Sequence, residues 1–342
     1  MHSHTTNLAH LYLPLLTDPQ PVVRRQACAL LLATYGEHGL TLLRRMLNED
    51  DRELDRQTRM ALQHIAELTD LQVHLQPFSG MHIECLGRTR IFVGNREISL
   101  DTWVRQEHGT VGWQKVQGVL AYLLHCGRRG ATRAALEAAI WGNAAPTTIG
   151  RTLQALRRLI TDLLGEAAAT KALTITDRFC LFSPEVYHSD MQAFEQTFNL
   201  ACHTEDGHGL AAAAALYRQA LRFYGGPYMI DITQGATWAM ARRDHLRSSF
   251  LIAAERVAEH AYSQQRYHEC VAVCTQIFDA DETADELVAW LLRAYRQMGQ
   301  SCALEHTYRR YLRANALDEG CPDAREDMVV LTYQKMRTVV AV

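Results

Sequence analysis

Hydrophobic and polar positions divide the chain into three segments with different periods. Apolar residues recur at helical spacing up to residue 76, whereas short alternating runs accompany three helical patterns between residues 81 and 183. From residue 188 to residue 338 the helical period returns and continues. We therefore predict a mainly α protein with three domains: an α-helical cap over 1–76, an α+β domain over 81–183 and an all-α repeat domain over 188–338.

The first segment contains an internal repeat. Arg25-Gln26 recurs 31 residues later as Arg56-Gln57, and each pair lies at the start of an apolar helical pattern after an Asp-rich turn. This arrangement resembles HEAT-type repeats, which stack helix pairs into a solenoid. Because two such repeats form only a small core, we expect them to pack on the following domain or on a partner. An ordinary amphipathic helical cap is the alternative interpretation.

The middle segment has the element order of a winged helix with a leading sheet. Residues 81–100 alternate between apolar and polar positions, and Gly94-Asn95 is a hairpin-turn signal within them. Three helical patterns follow, over residues 114–126, over residues 132–141 with Thr132 as N-cap, and from Pro146 onward. Residues 173–182 then form a second hairpin pattern, with Asp177-Arg178 at its tip.

The third helix of this segment has one apolar face and one polar face. On a wheel of 100° per residue, the apolar side chains lie within about 40° of Ile149; they are Ile149, Leu153, Leu156, Ile160 and Leu163. The opposite face and its flank carry Thr147, Arg151, Gln154, Arg157 and Arg158. Arginine binds guanine bidentately and glutamine binds adenine in the major groove, so this face predicts a DNA recognition helix. An ordinary solvated helix face is the alternative.

Further arginines and the charge distribution fit a polyanionic partner. We expect Arg128, Arg129 and Arg133 to contact phosphates, and Arg178 to contact a phosphate or the minor groove from the tip of the wing. The formal net charge of the chain is −3, yet residues 81–183 hold 13 Lys+Arg against 8 Asp+Glu, and both flanking segments are acidic. A basic middle between acidic flanks indicates that the middle segment meets the polyanion.

The third segment has a helical repeat close to the TPR period. Ala261-Tyr262 recurs as Ala294-Tyr295, 33 residues later, and TPR-like solenoids present a groove for peptides or protein helices. Cys270 and Cys274 lie one helical turn apart, and we expect buried structural thiols there rather than metal ligands. No sequence signature of a cofactor site, a metal site or a catalytic centre is present, so we expect no cofactor, no metal and no enzymatic activity.

Taken in order, these features resemble the bacterial transcriptional activators of the antibiotic regulatory protein type, which join an OmpR-type winged helix to a TPR-like bacterial transcriptional activation domain. The matching stretches are residues 81–87, 136–141, 156–160, 216–221, Gly226-Pro227-Tyr228, Trp238, 265–267 and 294–295. The likeness covers about residues 81–337. It implies that Arg151, Gln154, Arg157 and Arg158 face DNA, and that the helical domain contacts RNA polymerase or a sigma factor, or a second protomer.

We therefore expect a cytoplasmic, DNA-binding transcriptional regulator, an activator, whose partners are double-stranded DNA and RNA polymerase or a sigma factor. A homodimer or tandem pair is expected because one small winged helix covers few base pairs. No membrane association is expected, since the longest apolar runs have seven residues, against the ~20 that span a bilayer. The alternative is a protein-interaction adaptor whose winged helix is structural or docks protein. Ala155 favours this alternative, because related activators have a basic residue there.

Overall fold

The computed structural model describes residues 11–36, 38–47, 51–69, 71, 73, 75, 80–94, 96–99, 112–142, 149–232, 236–317 and 326–338. These residues fall into two compact units. We call the described parts of Met1–Glu195 and Arg222–Leu246 the first unit, and the described parts of Gln196–Leu221 and Arg247–Val342 the second unit. The cap and the α+β segment suggested by the sequence are thus both parts of the first unit.

Most of the described residues lie in α-helices, as the sequence predicts. In chain order they are α1 (Pro21–Tyr35), α2 (His38–Arg44), α3 (Arg52–Leu68), β1 (Met81–Glu84), β2 (Arg90–Val93), β3 (Arg96–Ile98), α4 (Trp113–Cys126), β4 (Ala131–Thr132), α5 (Arg133–Trp141), α6 (Ile149–Leu164), α7 (Glu166–Ala172), β5 (Leu173–Ile175), β6 (Phe179–Phe182), β7 (Tyr187–Ser189), α8 (Asp190–His208), α9 (Leu210–Phe223), α10 (Met240–Ser263), α11 (Tyr267–Phe278), α12 (Asp285–Gln297), α13 (Ser301–Ala314) and α14 (Met328–Thr338). The predicted fold class is confirmed, with a small sheet region followed by a helical, solenoid-like carboxy-terminal part.

Helices α1, α2 and α3 pack on one another around a small apolar core. Helix α1 begins with a proline in its first turn, and α3 is capped by Asp51, whose carboxylate accepts a hydrogen bond from Leu54 N at 3.0 Å. The two predicted amphipathic helices are therefore present at their predicted positions. Their assignment to the HEAT type stays a prediction.

A buried arginine joins these helices to the sheet that follows. Arg45 comes directly after α2, is 2% exposed and donates a hydrogen bond from Nε to Gly94 O at 3.2 Å. Its guanidinium lies 4.8 Å from the centroid of the Phe92 ring, a cation–π distance. Burial lowers the pKa of Arg45 to about 10, so the side chain keeps its charge near neutral pH. The expectation that the cap packs on the following domain is confirmed by this contact.

The leading sheet has four strands in the order β3-β2-β1-β7. β1 pairs antiparallel with β2, which pairs antiparallel with β3 through a turn at Gly94, as the sequence predicts. β7 pairs in parallel with β1, with Met81 opposite Tyr187. The sequence interpretation did not include β7, because a three-residue strand after a short turn has no periodic signal of its own.

Three helices and a three-stranded sheet in the order β4-β6-β5 form the winged helix. α4 and α5 correspond to the first two predicted helices, and Thr132 caps α5 by accepting a hydrogen bond from Ala135 N at 3.1 Å. The predicted closing hairpin is formed by β5 and β6. The short helix α7 was not predicted; it starts after Gly165, which has a φ of +81° and ends α6.

The end of β1 is held from two sides within the first unit. On one side, the buried carboxylate of Asp190 at the start of α8 accepts hydrogen bonds from Cys85 N at 2.8 Å and Leu86 N at 2.9 Å. On the other side, Gly87 N donates to Pro227 O at 3.1 Å. A Cβ on Gly225 would lie 2.7 Å from Leu86 O, so the close approach of these two segments requires glycine there.

In the second unit, successive helices pack against their neighbours around a continuous apolar core. α12 contacts α11, α13 and α14. Turns at 264–265, 279–281 and 299–300 separate the helices. Cys270 and Cys274 are fully buried in this core, as predicted for structural thiols. None of the described helices is long and apolar enough to cross a membrane.

Candidate nucleic-acid interface

Helix α6 has the two-faced character that its sequence predicts. Its buried residues include Ile149, Leu153, Leu156, Leu159 and Ile160, while Leu163 is half-buried. Arg151, Gln154, Arg157 and Arg158 are exposed on the other side. Thr147 and Pro146, where the helix was predicted to begin, lie outside the described residues. Four of the five side chains proposed to read bases therefore share one solvent-facing side of a helix.

The sequence has Ala155 where related activators have a basic residue, which counted against a DNA-reading helix. Its position in the structure removes that argument. Ala155 is 3% exposed and belongs to the buried side of α6, with Leu156 and Leu159. A charged side chain at this position would be taken out of water, which is costly without a partner. The absence of a basic residue there consequently leaves the charge of the outward face unchanged.

The wing projects Arg178 at the turn of the β5–β6 hairpin. Thr176 N donates to Phe179 O at 2.8 Å, which closes the turn, and both Asp177 and Arg178 are exposed. The predicted placement of Arg178 at a hairpin tip is thus confirmed, and its guanidinium is open to solvent.

Arg133 connects the wing with the start of α6. Its backbone N–H donates to Arg178 O at 3.0 Å, and a Cβ on Gly150 would lie 3.7 Å from one of its guanidinium nitrogens. Burial raises the pKa of the Cys180 thiol on β6, and the nearby charge of Arg133 lowers it. Among the described atoms, Arg133 Nε is buried without a hydrogen-bond partner. The structure therefore brings three of the predicted elements together: the start of α5, the wing and the first turn of α6.

Arg128 and Arg129 are exposed on a short 3-10 turn that lies against the wing sheet. The turn ends at Gly130, which has a φ of +59°. A Cβ at this position would clash with the Phe179 ring and would lie 2.8 Å from Cys180 O. Close packing on β6 thus requires glycine and fixes the two arginines beside the base of the wing.

Most arginines of this surface have no carboxylate partner. Within the described part of the chain, no Asp or Glu lies within ion-pairing distance of six of them, which are Arg128, Arg129, Arg133, Arg151, Arg157 and Arg178. Their positive charges are therefore not neutralised locally. Arginines in this condition on exposed elements suit binding of phosphate oxygens and base edges.

Residues that position the site were missed by sequence reasoning. Lys115 Nζ donates to Ile140 O at 2.7 Å and lies 5.3 Å from the Trp141 ring centroid, which ties α4 to the end of α5. Asp231 accepts hydrogen bonds from Thr89 N at 3.0 Å and from Gln117 Nε2 at 2.8 Å. Partners more than 100 residues apart leave no periodic signal. The one local signal for Asp231 is its place soon after the Gly226-Pro227-Tyr228 stretch.

Comparison with known proteins agrees with this architecture. The family model of the bacterial transcriptional activator domain matches residues 189–320, so this part of the chain is similar to that domain. A solved structure of Mycobacterium tuberculosis EmbR in complex with a low affinity phosphopeptide matches with a TM-score of 0.57 at 18% identity, over 76% of this chain and 69% of that chain. A search of curated proteins gave no match. The resemblance to activators of the antibiotic regulatory protein type is thereby confirmed by the domain match over residues 189–320, and the match to the solved structure shows a shared fold.

Proposed function

We propose that this protein is a transcriptional activator that reads a promoter site with its winged helix and contacts protein partners through its helical repeats. The activator domain at residues 189–320 supports a role in transcription. The observation that carries the DNA-binding part is the set of exposed or half-exposed arginines without carboxylate partners on α5, α6, the wing and the turn before β4. These elements are the ones from which a winged helix approaches DNA.

We assign two kinds of contact to this surface. The base-reading set is Thr147, Arg151, Gln154, Arg157 and Arg158, and the phosphate-binding set is Arg128, Arg129, Arg133 and Arg178. A bidentate side-chain contact to a base discriminates by about 1–3 kcal/mol, whereas phosphate contacts strengthen binding without sequence preference. Specificity is therefore expected from α6, and much of the affinity from the other arginines.

The remaining parts of the proposal follow from this role. The partners are double-stranded DNA and RNA polymerase or a sigma factor, and the protein acts in the cytoplasm as a non-enzymatic regulator. It binds as a homodimer or in tandem, because one small winged helix reads few base pairs. We retain the three domains 1–76, 81–183 and 188–338 as the functional division of the chain.

The test is a comparison of specific and random DNA by fluorescence anisotropy. The full-length protein should prefer a fragment from upstream of its own gene, and Arg151→Ala with Arg158→Ala should remove that preference, by at least about tenfold. Arg309→Ala is the matched control, since Arg309 is exposed but already paired with Glu305 at 2.8 Å. A folded double variant that keeps the preference would refute the assignment of α6 as the recognition helix.

The adaptor is the second candidate, and one observation favours it. The amino-terminal part of the chain exposes large apolar side chains, with Leu11 at 64%, Val22 at 62% and Leu30 at 55%. Exposed large apolar side chains are typical of protein docking surfaces when they form a patch. A protein that retains no DNA at low salt, while folded, would favour the adaptor over the activator.

A further inference from the structure

The second unit contains a groove between one side of α10 and the first turn of α12. Its volume is about 170 Å³. The residues that line it are Arg247, Ser248, Leu251, Ile252, Glu255, Ala284, Glu286 and Leu287. Those of α10 recur every three to four residues and so form one stripe along the helix.

The size of the groove decides what class of ligand it can hold. Pockets for cofactors and drug-sized molecules measure roughly 300–1,000 Å³, well above the 170 Å³ found here. A cavity of roughly 150 Å³ accommodates a benzene-sized group. The groove therefore fits one large side chain of a partner and is too small for an effector molecule of ordinary size.

The walls of the groove are aliphatic, and two carboxylates accompany them. Leu251, Ile252 and Leu287 supply the apolar surface, and Ile252 is 41% exposed. Burial raises the pKa of Glu255, the charge of Arg256 lowers it, and the charge of Glu286 raises it again. A hydrogen bond from the Trp290 side chain acts in the opposite direction and holds the Glu255 carboxylate in place. The two carboxylates thus repel each other, and a cation placed between them would relieve that repulsion.

The cation that already lines the groove is committed elsewhere. Arg247 Nε donates to the Asp281 carboxylate at 2.9 Å, and its terminal nitrogen also contacts Asp281. Asp281 is itself fixed by Thr283, whose N–H donates to it at 3.1 Å. Arg256, the cation that acts on Glu255, is likewise paired, with Glu205 at 3.2 Å and Glu259 at 2.9 Å. Both arginines are thus committed to other carboxylates, so the groove keeps an acidic, partly apolar character.

We propose that this groove binds a lysine or arginine side chain that is flanked by aliphatic residues in a protein partner. The aliphatic part of the bound side chain would pack on Leu251, Ile252 and Leu287, and its charged end would meet Glu255 and Glu286. The proposal rests on the proposed function, because it takes the partner to be a component of the transcription machinery. It assigns the partner-binding role to a defined site within the activator domain.

The experiment uses the full chain and a set of 15-residue peptides tiled across the host's RNA polymerase subunits and sigma factors. The peptides that bind should share a Lys or Arg between aliphatic residues, and replacing that residue with Gln should weaken binding. Glu255→Gln keeps an acceptor for Trp290 but removes the charge, and Glu286→Lys reverses the charge at the exposed side. Each variant should weaken peptide binding by about tenfold, the usual scale for a charged hydrogen bond.

Asp206→Lys is the matched control, because Asp206 is an exposed carboxylate of the second unit outside the groove. Its peptide affinities should stay within twofold of the wild type. Binding that is insensitive to Glu255→Gln and Glu286→Lys, preference for acidic peptides, or no peptide bound by the folded wild type would overturn the proposal. DNA binding measured on the same preparations separates the two ideas, since loss of DNA binding alone would contradict the promoter-reading role and leave the groove standing.

Discussion

Arginines play opposite parts in the second unit and in the winged helix. In the second unit several of them pair with carboxylates: Arg218 with Glu269 at 2.9 Å, and Arg310 with Asp279 at 2.7 Å and Glu282 at 2.6 Å. In the winged helix, no ion pair with a described carboxylate forms at six arginines, which are Arg128, Arg129, Arg133, Arg151, Arg157 and Arg178. The same residue type therefore connects helices in one region and stays available for an external anion in the other.

This difference is more informative than net charge. Residues 81–183 have a modest excess of 13 Lys+Arg over 8 Asp+Glu. What distinguishes this segment is that six of its arginines, those named above, have no carboxylate partner among the described residues, so a phosphate that binds them does not have to displace one. Net charge alone would have understated the case for nucleic-acid binding.

The comparison of paired and unpaired arginines concerns surface charges. The largest effect on stability is expected from a buried charge, the carboxylate of Asp190. Burial raises the pKa of Asp190 from 3.8 to about 6, against the opposing hydrogen bonds from Cys85 and Leu86. Because the folded state holds this proton more tightly than the unfolded state, the associated stability is present below pH 4. It is lost as the pH rises through 6, on the order of 3 kcal/mol in total.

Asp190→Asn should remove this pH dependence. It also places an amide NH₂ group opposite one of the two backbone N–H donors, Cys85 N or Leu86 N, which should lower the free energy of unfolding by about 1–3 kcal/mol. Urea unfolding of the wild type and the variant at pH 4, 5, 6 and 7 measures both effects. The stability advantage of the wild type should be largest at pH 4 and should shrink toward pH 7. A constant difference across that range would contradict the assigned shift of Asp190.

A smaller effect separates paired from unpaired arginines. Arg310 bridges two carboxylates and lies 4.5 Å from the Phe278 ring centroid, so Arg310→Ala should lower the free energy of unfolding by about 1 kcal/mol. Arg157→Ala should change it by less than about 0.5 kcal/mol, since that side chain is exposed. Chemical unfolding measures the stabilities. DNA affinity should fall in Arg157→Ala and stay unchanged in Arg310→Ala. Equal stability losses in the two variants would break the comparison.

The sequence predicted local features well and distant ones poorly. The buried side of α6, the Thr132 cap and the hairpin tip at Arg178 all followed from periodicity and turn chemistry, which act over a few residues. The contacts of Arg45 with Gly94 and of Asp231 with Thr89 did not, because they join residues far apart in sequence. Neither did the orientation of Ala155, since a residue at the margin of an apolar stripe is assigned only by its actual packing.

The central claim is that the unpaired arginines bind DNA phosphates, and the salt dependence of binding tests it most directly. Each phosphate contact contributes about 0.9 to the slope of log affinity against log salt concentration. Arg128→Ala with Arg129→Ala should make that slope less steep by about two, equally on upstream and random DNA. The paired arginines give the control, Arg266→Ala with Arg309→Ala, which should leave the slope unchanged. An unchanged slope in the first variant, or equal changes in both, would contradict the account.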